Sequence, residues 1–273
     1  MSQWERVGRT ADGKAHWVAR CATTAEFLNP PARQSECRES ESVDDPTWRG
    51  SATYSSGVEL IRTGWPEGAA KAREMAEKLD GVLAAAARQD SFRAEWDVAG
   101  DEADVARFLT GEPECMAASV PVPAEGPAGS VIRFAVKGGG SAGVAGEVFT
   151  RAAVLIAAAV DRAEAAGRRA EVWVYYAAKF GSELAETWHL LKAPEDPLDL
   201  PRMAAGMHPA GFRRVGWRWR ESRACLKDSH GYGVSQTTEL PPEPGEVRLD
   251  AVQVGHVRPG AEAQWLKGLS VGA

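Results

Sequence analysis

The chain has 273 residues, 44% of them hydrophobic and 26% charged, which is the balance of a folded protein and far from the composition of disordered chains. Thirty-two Lys plus Arg against 38 Asp plus Glu give a formal net charge of −6, so the summed field repels nucleic acid and argues against general DNA binding. Cys21, Cys37, Cys115 and Cys225 form no CxxC pair, which argues against a zinc knuckle and for free thiols in an intracellular, cytoplasmic setting.

The opening residues contain no apolar leader, and the longest apolar stretch, 152–160, is too short to span a bilayer. Residues 1–60 are irregular; Pro30–Pro31 and the polar run ESESVDDP (39–46) read as loop in an excursion packed on the main body. Residues 65–88 predict a helix, with Pro66 in its first turn and Ala69, Met75, Ala76, Leu79, Val82 and Leu83 at three- and four-residue spacing. A short helix is expected over 102–109, capped by Asp101; the acidic residues Asp97, Asp104, Glu112 and Glu114 around it read as capping and solvation. The Pro- and Gly-rich stretch 120–130 then suggests a division into an N-terminal α+β region, 1–119, and an α/β domain, 120–273, with a C-terminal strand extension.

Beyond that hinge, 131–136 (VIRFAV) predicts a strand, 137–146 (KGGGSAGVAG) a loop, 147–166 an Ala-rich helix closed by Gly167, and 170–176 (AEVWVYY) a second strand. The helix places Val148, Ala152, Leu155, Ala159 and Ala163 on one stripe. Such a β-loop-α-β unit crosses over right-handedly between parallel strands, so the expected fold class is α/β, a Rossmann-like layered sheet. Downstream, 184–192 suits a buried strand or a short helix, 200–207 a helix, and 247–254 a strand. In 212–223 (FRRVGWRWRESR), alternating Arg and Trp over 214–220 reads as a strand with one packed and one wet face.

The most specific local signal is the loop Gly138, Gly139, Gly140 and Ser141 ahead of a helix, where backbone N–H groups can face an anion. Gly138, Gly140 and Gly143 satisfy GxGxxG, but no Walker lysine follows, and Asp161 and Glu164 lie inside the predicted helix rather than at a strand end. His208 is a candidate base with Arg213 and Arg214 as anion clamps; its plain alternative is to satisfy helix-terminal carbonyls. No set of residues specifies a reaction, so no catalytic residue, metal or cofactor is assigned and non-enzymatic action is favoured. Ten tryptophans are many for this length, and any exposed ones would mark a protein-binding surface.

Three segments, GWPEG (64–68), DVAGDEADVARFLTGEPECM (97–116) and HPAGFRR (208–214), together resemble an uncharacterised family of bacteriophage and mobile-element proteins with no assigned biochemistry. The order strand 131–136, loop, helix, Gly167 turn and strand 171–176 is similar to von Willebrand factor A domains, but Lys137, Gly138, Gly139, Gly140 and Ser141 stand where that family has its metal-binding DxSxS. The second likeness implies an AAA+ ATPase as partner and no working metal site; the expected role is an interaction or adaptor protein that engages such a partner or a second copy of itself, with no membrane role. The competing expectations are a sensor or enzyme binding a phosphorylated small molecule at 137–146, and a structural virion protein.

Overall fold

A computed structural model describes residues 4–33, 38–86, 91–100, 102–122, 131–223, 234–243 and 246–265. Cys37, Asp101, Cys225 and most of the 120–130 stretch lie outside the described residues. The chain begins with β1 (Glu5–Arg9) and β2 (Ala15–Cys21), followed by α1 (Thr24–Phe27), a 3-10 turn at Glu39–Glu41, α2 (Pro46–Arg49), α3 (Tyr54–Thr63) and α4 (Pro66–Ala86). Next come β3 (Ser91–Asp97), β4 (Glu102–Ala103), α5 (Val105–Leu109) and β5 (Met116–Val122), then β6 (Val131–Lys137), α6 (Gly146–Ala165), β7 (Arg169–Phe180) and β8 (Glu183–Lys192). The remainder is α7 (Leu200–Gly206), a π-helical turn at Gly211–Gly216, α8 (Trp217–Arg223), β9 (Val234–Gln236), β10 (Glu246–Asp250) and α9 (Ala251–Gly255).

A seven-stranded mixed sheet has the order β1-β2-β8-β7-β6-β10, with β9 also on β7. The expected β-loop-α-β unit is its centre: β6 and β7 are parallel, Val131 opposite Arg169 and Lys137 opposite Tyr175, with α6 between them. The turn after α6 uses Gly167 at φ +80°, a left-handed conformation that glycine adopts without steric cost. β8 returns antiparallel to β7, β10 runs parallel to β6, and β2 extends the sheet parallel to β8.

One face of the sheet is packed by helices. Phe134, Val136, Val172, Val174 and Tyr176 join a cluster with α4, α6, α7, α9 and α1. The opposite face, with Ala135, Tyr175, Ala177 and Trp188, is packed by Trp173 and Leu240, and no described helix contributes to that cluster. The described residues therefore form two layers. α6 is apolar almost all round because α4, α7 and α9 all pack on it; its alanines let those neighbours approach closely. No helix among the described residues is long and apolar enough to cross a membrane.

Three sequence expectations need correction. The segment 214–220 is no strand: it continues the π-helical turn into α8, where Arg214, Trp217, Trp219 and Arg220 are buried and Arg218 is half-buried, so arginines and tryptophans do not divide into a wet and a packed face. The short helix begins at Val105, not 102, because the Asp104 carboxylate accepts from the Ala106 and Arg107 amides while Glu102 and Ala103 pair with β5. The final strand stops at Asp250, whose side chain caps α9 by accepting from the Val252 amide. β3, β5 and β4 form a separate small antiparallel sheet.

Candidate functional site

The glycine loop that follows β6, the carboxyl half of β7, the strap 38–53, the π-helical turn, α8 and β9 line a cleft of about 320 Å³. The strap is polar and short of apolar anchors, so hydrogen bonds and buried charge hold it in place. Arg214 is fully buried and donates to the carbonyl oxygens of Ser40, Ser42, Ser51 and Ala52. Glu221, 1% exposed, accepts from the Ser40 amide at 2.8 Å, the Ser40 hydroxyl at 2.7 Å and Arg33 Nε at 2.9 Å. Arg213 joins the strap to the glycine loop, donating to the carbonyls of Trp48 and Val144, with its guanidinium carbon 3.8 Å from the Trp48 ring centroid.

The floor of the cleft is aromatic: Phe212 stacks on Tyr176 at 5.6 Å, and Trp217 meets Trp48 edge-on at 5.5 Å. At the rim Arg49, itself buried, pairs with Asp44 at 2.7 Å and with Glu39 at 3.3 Å. The Arg49 hydrogen bond, with help from Ser42, holds the Asp44 carboxyl down at about 2. Burial, and then the neighbouring Arg49 charge, push Arg213 down to about 10; Arg214 is lowered for the same two reasons.

The residues singled out from sequence divide between this cleft and the interior. Gly140, Ser141 and Arg213 line it. Gly138 and Gly139 are buried beneath it, where a Cβ would come 2.5 Å from the Tyr176 ring and 3.1 Å from the Phe212 ring; one at Gly140 would meet Val252 at 2.8 Å. These glycines serve close packing, and the Gly138 amide donates to the Tyr175 carbonyl, prolonging the β6–β7 ladder. The first turn of α6 packs on α2, with the Thr47 carbonyl 2.3 Å from where a Gly146 Cβ would be. His208 is not in the cleft; it lies edge-on to Trp65 at 4.9 Å, and burial holds it down at about 4. Arg214 is occupied by the strap carbonyls.

The sequence reasoning missed Arg49, Trp48, Glu39 and Asp44. The available signal was D-P-T-W-R, in which Asp45 caps and Pro46 opens α2, but nothing local shows that Arg49 faces inward. A second polar centre lies on the other face of the sheet. Glu186, fully buried, pairs with His16 at 2.9 Å and accepts from Trp188 Nε1, the Thr238 hydroxyl and the Glu239 amide. Its lone pairs are used, so it is a structural knot. Cys21 is buried and its thiol pushed up to about 12 by desolvation, with Glu26 adding to the shift, which makes it a poor nucleophile. Among the described residues no three His, Cys, Asp or Glu side chains are grouped to hold a metal ion.

Comparison with known proteins gives one match. No curated protein and no solved structure matches the chain. Residues 12–266 match the model of a family described as a domain of unknown function, DUF7192, so that the match takes in the 91–122 unit and every strand of the large sheet except β1. The chain belongs to the DUF7192 family.

Proposed function

We propose that this chain is a non-enzymatic interaction module of phage or mobile-element origin, built on a von Willebrand A-like sheet, which holds a basic, amphipathic segment of a protein partner on its 91–122 unit. The observation that carries the reading is the apolar surface there: Val98, Val105, Phe108 and Leu109 are 66–77% exposed, beside Trp96 at 43%. Val105, Phe108 and Leu109 lie on α5, with Trp96 near the end of β3 and Val98 just past it, and large apolar side chains exposed in such a group mark a surface that a partner covers. Asp97, Glu112 and Glu114 are exposed around it and Asp104 partly so, while Arg107 stacks on Trp96 and pairs with Glu112, so a partner with basic flanks is the complementary one. The order β6, loop, α6, Gly167 turn, β7 supports the architectural likeness, and that likeness makes an AAA+ ATPase the partner class of this reading.

A synthetic Leu/Lys amphipathic helical peptide tests the surface by fluorescence anisotropy. The wild type is expected to bind it, and the double variant Phe108→Ser, Leu109→Ser to bind roughly tenfold or more weakly with an unchanged melting temperature. Equal binding of wild type and variant, or equal binding of a Leu/Glu peptide of the same pattern, would overturn the reading.

A further inference from the structure

We propose that the cleft lined by the glycine loop and the carboxyl half of β7 is a binding site for a small organic anion, whose acidic group pairs with Arg49 while its apolar body lies on Trp48, Phe212 and Trp217. The site is separate from the 91–122 surface and does not depend on the partner reading.

Arg49, Arg213 and Arg214 are buried in one neighbourhood, at 2%, 0% and 0% exposure. Only Arg49 has carboxylate partners among the described residues, and those, Glu39 and Asp44, have side chains 54% and 67% exposed. Arg213 and Arg214 are satisfied by backbone carbonyls and the Ser51 hydroxyl, which are dipoles rather than counter-charges. Arg213 Nε has no hydrogen-bond partner among the described residues. The buried Glu221 of α8 is taken by Arg33 and Ser40; buried cations left without a counter-charge of their own are costly, because the low-dielectric surroundings neither hydrate nor neutralise them. Here the excess positive charge lies against an open cleft, where an entering anion meets a favourable potential and its own apolar part finds the aromatic floor.

Glu39 and Asp44 stand on the solvent side of Arg49 as tethered carboxylates, in the place that a ligand's acid group would take. They compete with the ligand, so weakening them strengthens binding, whereas a merely structural Arg49 network would give no such gain. The volume of about 320 Å³ is that of a site for a small molecule rather than a peptide. The requirement is an acidic group on an apolar or flat body; a carboxylate and a phosphate monoester both meet it.

Isothermal titration of the full chain with benzoate, adenosine 5′-monophosphate, uncharged adenosine and inorganic phosphate tests the site. Benzoate or the monophosphate is expected to bind, more weakly at high salt, and which of them binds tells carboxylate from phosphate. Adenosine and inorganic phosphate, each lacking half of the recognition, are expected to bind at least about tenfold more weakly. The double variant Glu39→Gln, Asp44→Asn is expected to bind roughly tenfold more tightly than wild type. Ser141→Trp, at an exposed loop position on the cleft, is expected to abolish binding with the melting temperature held, and supplies the test if the double variant does not fold. Absence of binding by both organic anions, adenosine binding as well as its monophosphate, no gain in a folded double variant, or full binding by Ser141→Trp would each overturn the proposal.

Discussion

α6 and α5 are both rich in apolar side chains, yet Leu155, Ile156 and Val160 of α6 are fully buried while Val105, Phe108 and Leu109 of α5 face solvent. Hydrophobicity does not separate them; length and neighbours do. α6 runs for 20 residues with α4, α7 and α9 packed around it. α5 has five residues, too few to hold a helix unaided, and depends on the Asp104 cap. The first helix builds the interior that positions the cleft, and the second displays apolar surface at the expense of burial.

That contrast makes graded predictions. The largest effect belongs to Leu155→Asp, which puts a charge at a fully buried position of α6 and is expected to cost about 3–5 kcal/mol, read as a lower urea midpoint. Next is Arg214→Met, which removes the donors to the strap carbonyls; a cost of about 2–3 kcal/mol is expected, with faster proteolysis within 38–53. A melting curve unchanged by this substitution would show that the strap is held by other means.

A pH effect follows from two buried histidines on the helix-covered side. Burial holds His189 down at about 3 and His208 at about 4, against an ordinary value of 6.5. The folded state thus binds fewer protons than the unfolded one, and the stability present above pH 6.5 is lost as pH falls toward those values. The expected slope is at most about 1.4 kcal/mol per pH unit for each histidine. Urea titrations between pH 7 and 4.5 measure it, and His208→Asn should flatten the slope by about one proton. The smallest stability effect is that of Phe108→Ser with Leu109→Ser on α5, within about 0.5 kcal/mol; a large loss would mean that these side chains are packed rather than displayed.

Much of the central fold was legible along the chain. VIRFAV, the Ala-rich stripe, the glycine at 167 and AEVWVYY each act locally, through β-propensity, helical periodicity and a left-handed turn, and they became β6, α6 and β7 as expected. The 214–220 segment was misread for a physical reason: alternation of Arg with Trp implies a strand only if the arginines reach water. Here Arg214 finds its acceptors at Ser40, Ser42, Ser51 and Ala52, more than 160 residues away in the chain, and no local pattern carries that information.

The candidate cleft divides the same way. The glycine run was visible because three consecutive glycines are rare and conformationally permissive, although in the fold they make room for Tyr176, Phe212 and Val252. Arg49 could not be told from a surface arginine, since its inward position depends on α2 packing against the start of α6 and on the Trp217 ring of α8. Local propensities thus specified the strands and the helix between them, because those depend on neighbouring residues. The buried charges and the cleft arose from long-range closure, because desolvation and charge pairing depend on which distant segments exclude water around a side chain.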